Sequence, residues 1–152
     1  MKLFDAIVDA VSTYAVSVEE KEHELVIMNS DNSNKLYVYE EEYFSQDMQD
    51  RFVQYIVAFS TQHSHFDADD KDVIMQYILA ILNDKILPLE FYKEGKRGFG
   101  GEINSEDLDK LSVSFLNHGR YTNEYMMSLD YEIHSWSGKY DTGLRKVSEL
   151  KP

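Results

Sequence analysis

A chain of 152 residues with 43% apolar and 28% charged residues has enough material for one hydrophobic core, and nothing in that balance calls for a disordered tail. It contains no cysteine, which excludes disulfides, thiolate nucleophiles and thiolate metal ligands. The formal charge of −13 disfavours nucleic acid as a ligand, because phosphate binding needs lysine and arginine to release counterions.

Met1-Lys2-Leu3-Phe4-Asp5 places an acid where a signal peptide would be apolar, and no run approaches the length of a membrane span, so a cytoplasmic protein without membrane contact is expected. The surplus charge sits towards the front. Residues 1 to 90 hold 18 acids against 6 bases, whereas residues 91 to 152 hold 10 acids against 9 bases. A cationic protein surface is the ligand such a distribution favours.

Leu3, Phe4, Ile7, Val8, Val11 and Tyr14 recur at helical spacing and predict an amphipathic first helix. Two strands follow, Glu24 to Met28 and Lys35 to Glu40, joined as a hairpin by the turn-forming run Asn29 to Asn34. Ser45 reads as a helix cap, and Met48, Phe52, Tyr55, Ile56 and Phe59 predict a helix over 46–62. His63-Ser64-His65 reads as a polar break. Asp67 then caps a buried helix over 68–83 carrying Val73, Ile74, Tyr77, Ile78, Ile81 and Leu82.

Pro88 ends helical character, so Leu89 to Lys93 is read as extended, with a turn through Gly95 to Gly101. Ser105 with Glu106 and Asp107 marks a short helix start, and Leu111 to Leu116 either prolongs it or becomes a strand. Met127 to Trp136 alternates apolar with polar residues, as a half-buried strand does. The expectation is a single α+β domain over 1–152, a mainly antiparallel sheet packed against helices in the rough order α-β-β-α-α-β-(α)-β-β.

Four constellations have chemistry to weigh. His63-Ser64-His65-Phe66-Asp67 resembles the His-x-His-x-Asp-His signature of metallo-β-lactamase-like hydrolases over five positions. Ala68 replaces the final histidine, and the chain is too short for that four-layered fold, so no metal site is carried over and these residues are read as loop and helix cap. Lys96 to Gly101 is glycine-rich with basic neighbours but fits no phosphate-loop spacing, so a turn accounts for it. Asp130, Glu132 and His134 share one strand face, the arrangement a small hydrolase would use for acid and base, and equally that of three solvent-facing residues.

The fourth constellation is acidic. Glu40, Glu41, Glu42, Asp47 and Asp50 form one cluster and Asp67, Asp69, Asp70 and Asp72 another, more carboxylates than dipole complementarity at two helix starts explains. Tyr37, Tyr39 and Tyr43 adjoin the first, and tyrosine anchors inside a charged rim suit a protein interface. If both clusters open an antiparallel helix pair, they lie roughly 25 Å apart, forming two patches. These twelve residues are the expected partner-binding set, with no catalytic residue, metal or cofactor assigned.

The functional expectation is an inhibitory binding protein, such as an immunity protein that neutralises a basic, nuclease-like toxin. A phage-type DNA mimic and a small acidic secretion chaperone are the alternatives among binding proteins. A small hydrolase using Asp130, Glu132 and His134 is the alternative of another class.

Overall fold

The computed structural model describes residues 2–152, which divide into two compact units, one running to Leu82 and the other from Asn83 onward. Both are built from helices and antiparallel sheet, the α+β class that the order of apolar patterns implies.

The first unit holds helix α1 (Leu3–Val11), strands β1 (Val16–Lys21), β2 (Glu24–Asn29), β3 (Lys35–Phe44), β4 (Arg51–Phe59) and β5 (Gln62–Asp67), and helix α2 (Lys71–Leu82). The strands form one antiparallel meander in the order β1-β2-β3-β4-β5, so β1 and β5 are its edges. Because side chains alternate across a strand, one face carries Leu25, Ile27, Leu36, Val38, Tyr55, Val57 and Phe59, all buried. Leu3, Phe4, Ile7 and Val11 of α1 and Ile74, Ile78, Ile81 and Leu82 of α2 are buried too. The Phe4 ring meets Tyr55 edge-on at 6.3 Å, and Phe66 lies 5.3 Å from Tyr77. Each such aliphatic side chain removed from water contributes about 1.5–3 kcal/mol before entropy is subtracted.

The region 46–62 is where expectation and structure part. It forms a turn, the strand β4 and the start of β5, with no helix. Its apolar residues fit a period of 3.6 and a period of 2 at once, and Tyr55, Val57 and Phe59 take the second, alternating inward. The density of Val, Ile, Phe and Tyr from 52 to 59 decides the matter, since β-branched and aromatic side chains fit a pleated surface. Ser45 caps a turn in place of a helix: its Oγ accepts from Asp50 N at 3.1 Å and donates to Asp47. The His63–His65 segment, read as a break, is strand β5, and β1 has no counterpart in the sequence reading.

The second unit contains β6 (Ile86–Lys93), β7 (Lys96–Asn104), a 3₁₀ turn over Ser105–Lys110, short helices α3 (Val113–Asn117) and α4 (Asn123–Met127), β8 (Asp130–Ile133) and β9 (Arg145–Lys146). Its antiparallel sheet runs β7-β6-β8-β9. The core gathers Leu87, Leu89, Phe91, Ile103, Tyr131 and Ile133 from the sheet with Val113, Leu116 and Met126 from the helices. Ser112 Oγ accepts from Phe115 N and Thr122 Oγ1 from Tyr125 N, the side-chain caps that let helices this short persist.

The glycine-rich stretch is a hairpin. Glu94 and Gly95, with φ of 51° and 77°, make the two-residue turn, and Gly98, Gly100 and Gly101 lie inside β7, where Gly98 faces an irregularity between Glu90 and Tyr92 and Gly100 and Gly101 pair with Glu90 and Leu89. Met127, expected to open the late strand, ends α4 instead. Leu129, Tyr131 and Ile133 point inward as predicted.

Candidate functional site

The outer face of the first unit's sheet collects the residues with most to offer a partner. Cross-strand register fixes who stands beside whom. Tyr37 pairs with Ala58 and Ala58 with His63; Tyr39 with Ile56 and Ile56 with His65; Glu41 with Gln54 and Gln54 with Asp67. Residues directly opposite one another project on the same side of the sheet, so these form three parallel rows across β3, β4 and β5. Tyr43 and Phe52 make a fourth, stacked at 5.3 Å with their planes 22° apart. Tyr37 and Tyr39 stack along β3 at 5.8 Å.

One hydrogen-bond chain runs across these rows. Gln54 Nε2 donates to Glu41 at 2.6 Å, which leaves its Oε1 facing His65 Nδ1 at 3.3 Å. An amide oxygen only accepts, so His65 Nδ1 carries the proton and Nε2 is left to the surroundings. The His63 ring meets His65 edge-on at 5.2 Å. Burial, then the Glu24 carboxylate, push the Tyr39 phenol above its ordinary value. A shallow depression of about 440 Å³ beside it is lined by His23, Glu24, Tyr39, Glu40, Glu41 and Ile56.

Where β3 turns into β4, four large apolar side chains stand in solvent: Tyr43, Phe44, Met48 and Phe52, with Met48 70% exposed. Asp47 and Asp50 border them. Asp47 Oδ1 accepts from Ser45 Oγ and from Gln49 N, and the Ser45 hydroxyl, then the amide, hold this carboxyl below the usual aspartate value. Exposed apolar groups rimmed by carboxylates are the composition of an interface core and its rim.

The twelve expected binding residues divide on this geometry. Tyr37, Tyr39, Glu41, Tyr43 and Asp67 share the outer face. Asp47 and Asp50 belong to the β3–β4 turn. Glu40 and Glu42 point to the opposite side, where Glu40 accepts from Tyr55 OH at 3.1 Å and Glu42 pairs with Arg51. Asp69 and Asp70 occupy the turn into α2, and Asp72 its first turn. The expected separation into two distant patches does not hold: it depended on a helix over 46–62, and the strand pair that replaces it sets Glu41 and Asp67 on either side of Gln54, about 10 Å apart at the usual strand spacing. His63, His65, Gln54 and Phe52 were missed as members of this face, although the alternation from 62 to 67 marks a strand once the histidines are not read as a loop.

The other constellations have their own outcomes. Among the described residues, no group of three or more His, Asp or Glu side chains is placed to hold a metal ion. On β8, Asp130 and Glu132 share a face and Glu132 lies 3.6 Å from His134. Directly across on β6, Glu90 is fully buried and paired with Arg97, and burial, then Glu132 and Glu90, raise the Tyr92 phenol. No helix among the described residues is long and apolar enough to cross a membrane. Compared with family models, with curated proteins and with solved structures, the chain matches none of them.

Proposed function

We propose that this chain is an acidic binding protein that holds a basic protein partner against the outer face of its five-stranded sheet, and that its biological role is inhibition, as of a nuclease-like toxin by an immunity protein. The observation that carries the reading is the row Glu41–Gln54–Asp67 set beside Tyr37, Tyr39 and the Tyr43–Phe52 stack. Carboxylates there meet aromatic anchors on a rigid sheet, and residues 1–82 hold 16 acids against 5 bases, so a cationic surface is drawn in from a distance and then finds apolar contact.

Fast capture is what an inhibitor of a damaging enzyme requires, and charge supplies it more readily than contact area does. The test is a side-by-side retrieval from the native cell with the wild-type chain and with a Glu41→Lys, Asp67→Lys variant. A cationic protein retained by the first, released by salt and lost from the second, whose enzymatic activity is blocked by stoichiometric wild-type chain, supports the proposal. Identical retrieval by both overturns it.

A further inference from the structure

The hairpin between β4 and β5 is closed by two residues, Ser60 and Thr61, with Phe59 opposite Gln62. Such a turn makes Phe59 and Gln62 a hydrogen-bonded pair, and bonding then alternates along the ladder. Gln62, Ser64 and Phe66 spend their backbone groups on β4. The amides of His63, His65 and Asp67 therefore point to the far edge of β5, where the sheet has no further strand. The carbonyls of His63 and His65 point the same way, while that of Asp67 accepts from Asp70 N. The three side chains are exposed and belong to the outer face.

We infer that an extended, lysine- or arginine-bearing segment of the partner adds to this edge as a sixth strand, antiparallel to β5. The inference rests on the reading of the partner as basic and names the element it docks with. β5 contains no proline, lysine or bulge, the usual devices that blunt an edge. The opposite edge is partly spent, because Val16 N already donates to Tyr14 O. Charge selects the occupant. A second copy of the chain would bring the same surplus of 16 acids over 5 bases in its first unit, whereas a cationic strand extends the row Glu41–Gln54–Asp67 with a positive group beside Asp67. Antiparallel addition continues the pairing found throughout this sheet.

The probe is an end-capped peptide of about eight residues alternating lysine and valine, long enough to span the edge of a six-residue strand. In an antiparallel addition the lysines oppose His63, His65 and Asp67, and their amides face β5. N-methylation of the lysine amides is expected to weaken binding about tenfold or more, the loss of two or more backbone hydrogen bonds, while N-methylation of the valine amides leaves binding unchanged. His65→Pro, which removes an amide that β4 does not use, should weaken the unmodified peptide to a similar degree, and His65→Thr should not.

Binding that ignores both methylation patterns overturns the inference while leaving an electrostatic partner face intact. Absence of binding, the reverse methylation pattern, or a β5-dependent dimer of the chain in sedimentation overturns it as well. Methylation-sensitive binding together with identical retrieval by wild type and the Glu41→Lys, Asp67→Lys variant would sustain the edge and remove the basic-partner face.

Discussion

Glu41 and Asp67 stand on opposite flanks of Gln54, one on β3 and the other on β5, in a single row across three strands. Two carboxylates held this way repel one another slightly in water, and neither has a lysine or arginine in its row to relieve it. Glu41→Gln and Asp67→Asn should therefore each leave the folding free energy unchanged or make the fold more stable by up to about 0.5 kcal/mol, measured by denaturant unfolding, while lowering the association rate with a cationic partner.

Gln54 is the hinge of that row. Gln54→Leu removes the acceptor that holds the His65 proton on Nδ1, so the imidazole should shift towards the Nε2–H tautomer. Nitrogen-15 chemical shifts of the His65 ring read this directly. A tautomer unchanged by the substitution would show that the hydrogen bond does not govern the ring.

The stacked pair Tyr43 and Phe52 separates interface from fold. Both are more than 40% exposed, so Phe52→Ala should cost stability only about 0.5–1.5 kcal/mol, the worth of the ring pair. Partner affinity should fall by at least about 2 kcal/mol if the ring is a buried anchor in the complex. Ile27→Ala gives the opposite pattern: Ile27 is fully buried on the core face, and its truncation should cost about 2–5 kcal/mol of stability.

Asp47 makes the β3–β4 turn sensitive to acid. Its carboxyl titrates lower in the folded chain than in the unfolded chain, because Ser45 and Gln49 hydrogen-bond to the ionised form. The stabilisation this gives is present above the unfolded aspartate value of 3.8 and is lost as pH falls through the lower folded value. Protection of the Gln49 amide against hydrogen exchange should fall on acidification below pH 3.8, and Asp47→Asn should remove that pH dependence.

Much of the fold is legible in the residues. The helical stripe from Leu3 to Val11, the hairpin around Asn29 to Asn34 and the inward set Leu129, Tyr131 and Ile133 all stand where their spacing puts them. The failure at 46–62 comes from one ambiguity: Phe52, Tyr55, Ile56 and Phe59 satisfy a helix template, and only the β-branched and aromatic density around them tips the balance. That error reached the site. A helix there separates Glu41 from Asp67, whereas the pairing of β4 with β5 across the two-residue turn Ser60–Thr61 makes them neighbours in one row and brings His63 and His65 onto the same face. Val16 to Lys21 escaped notice because Glu19, Glu20 and Lys21 mask its short alternation.

Association kinetics of the retrieved basic partner with the wild-type chain and with the Glu41→Lys, Asp67→Lys variant, across salt from about 50 mM to about 500 mM, test the central claim most directly. Electrostatic capture on the outer sheet face predicts a wild-type rate that falls at least about tenfold over that range, and a variant rate that is slow and nearly flat. Equal rates and equal salt slopes for the two proteins would contradict it.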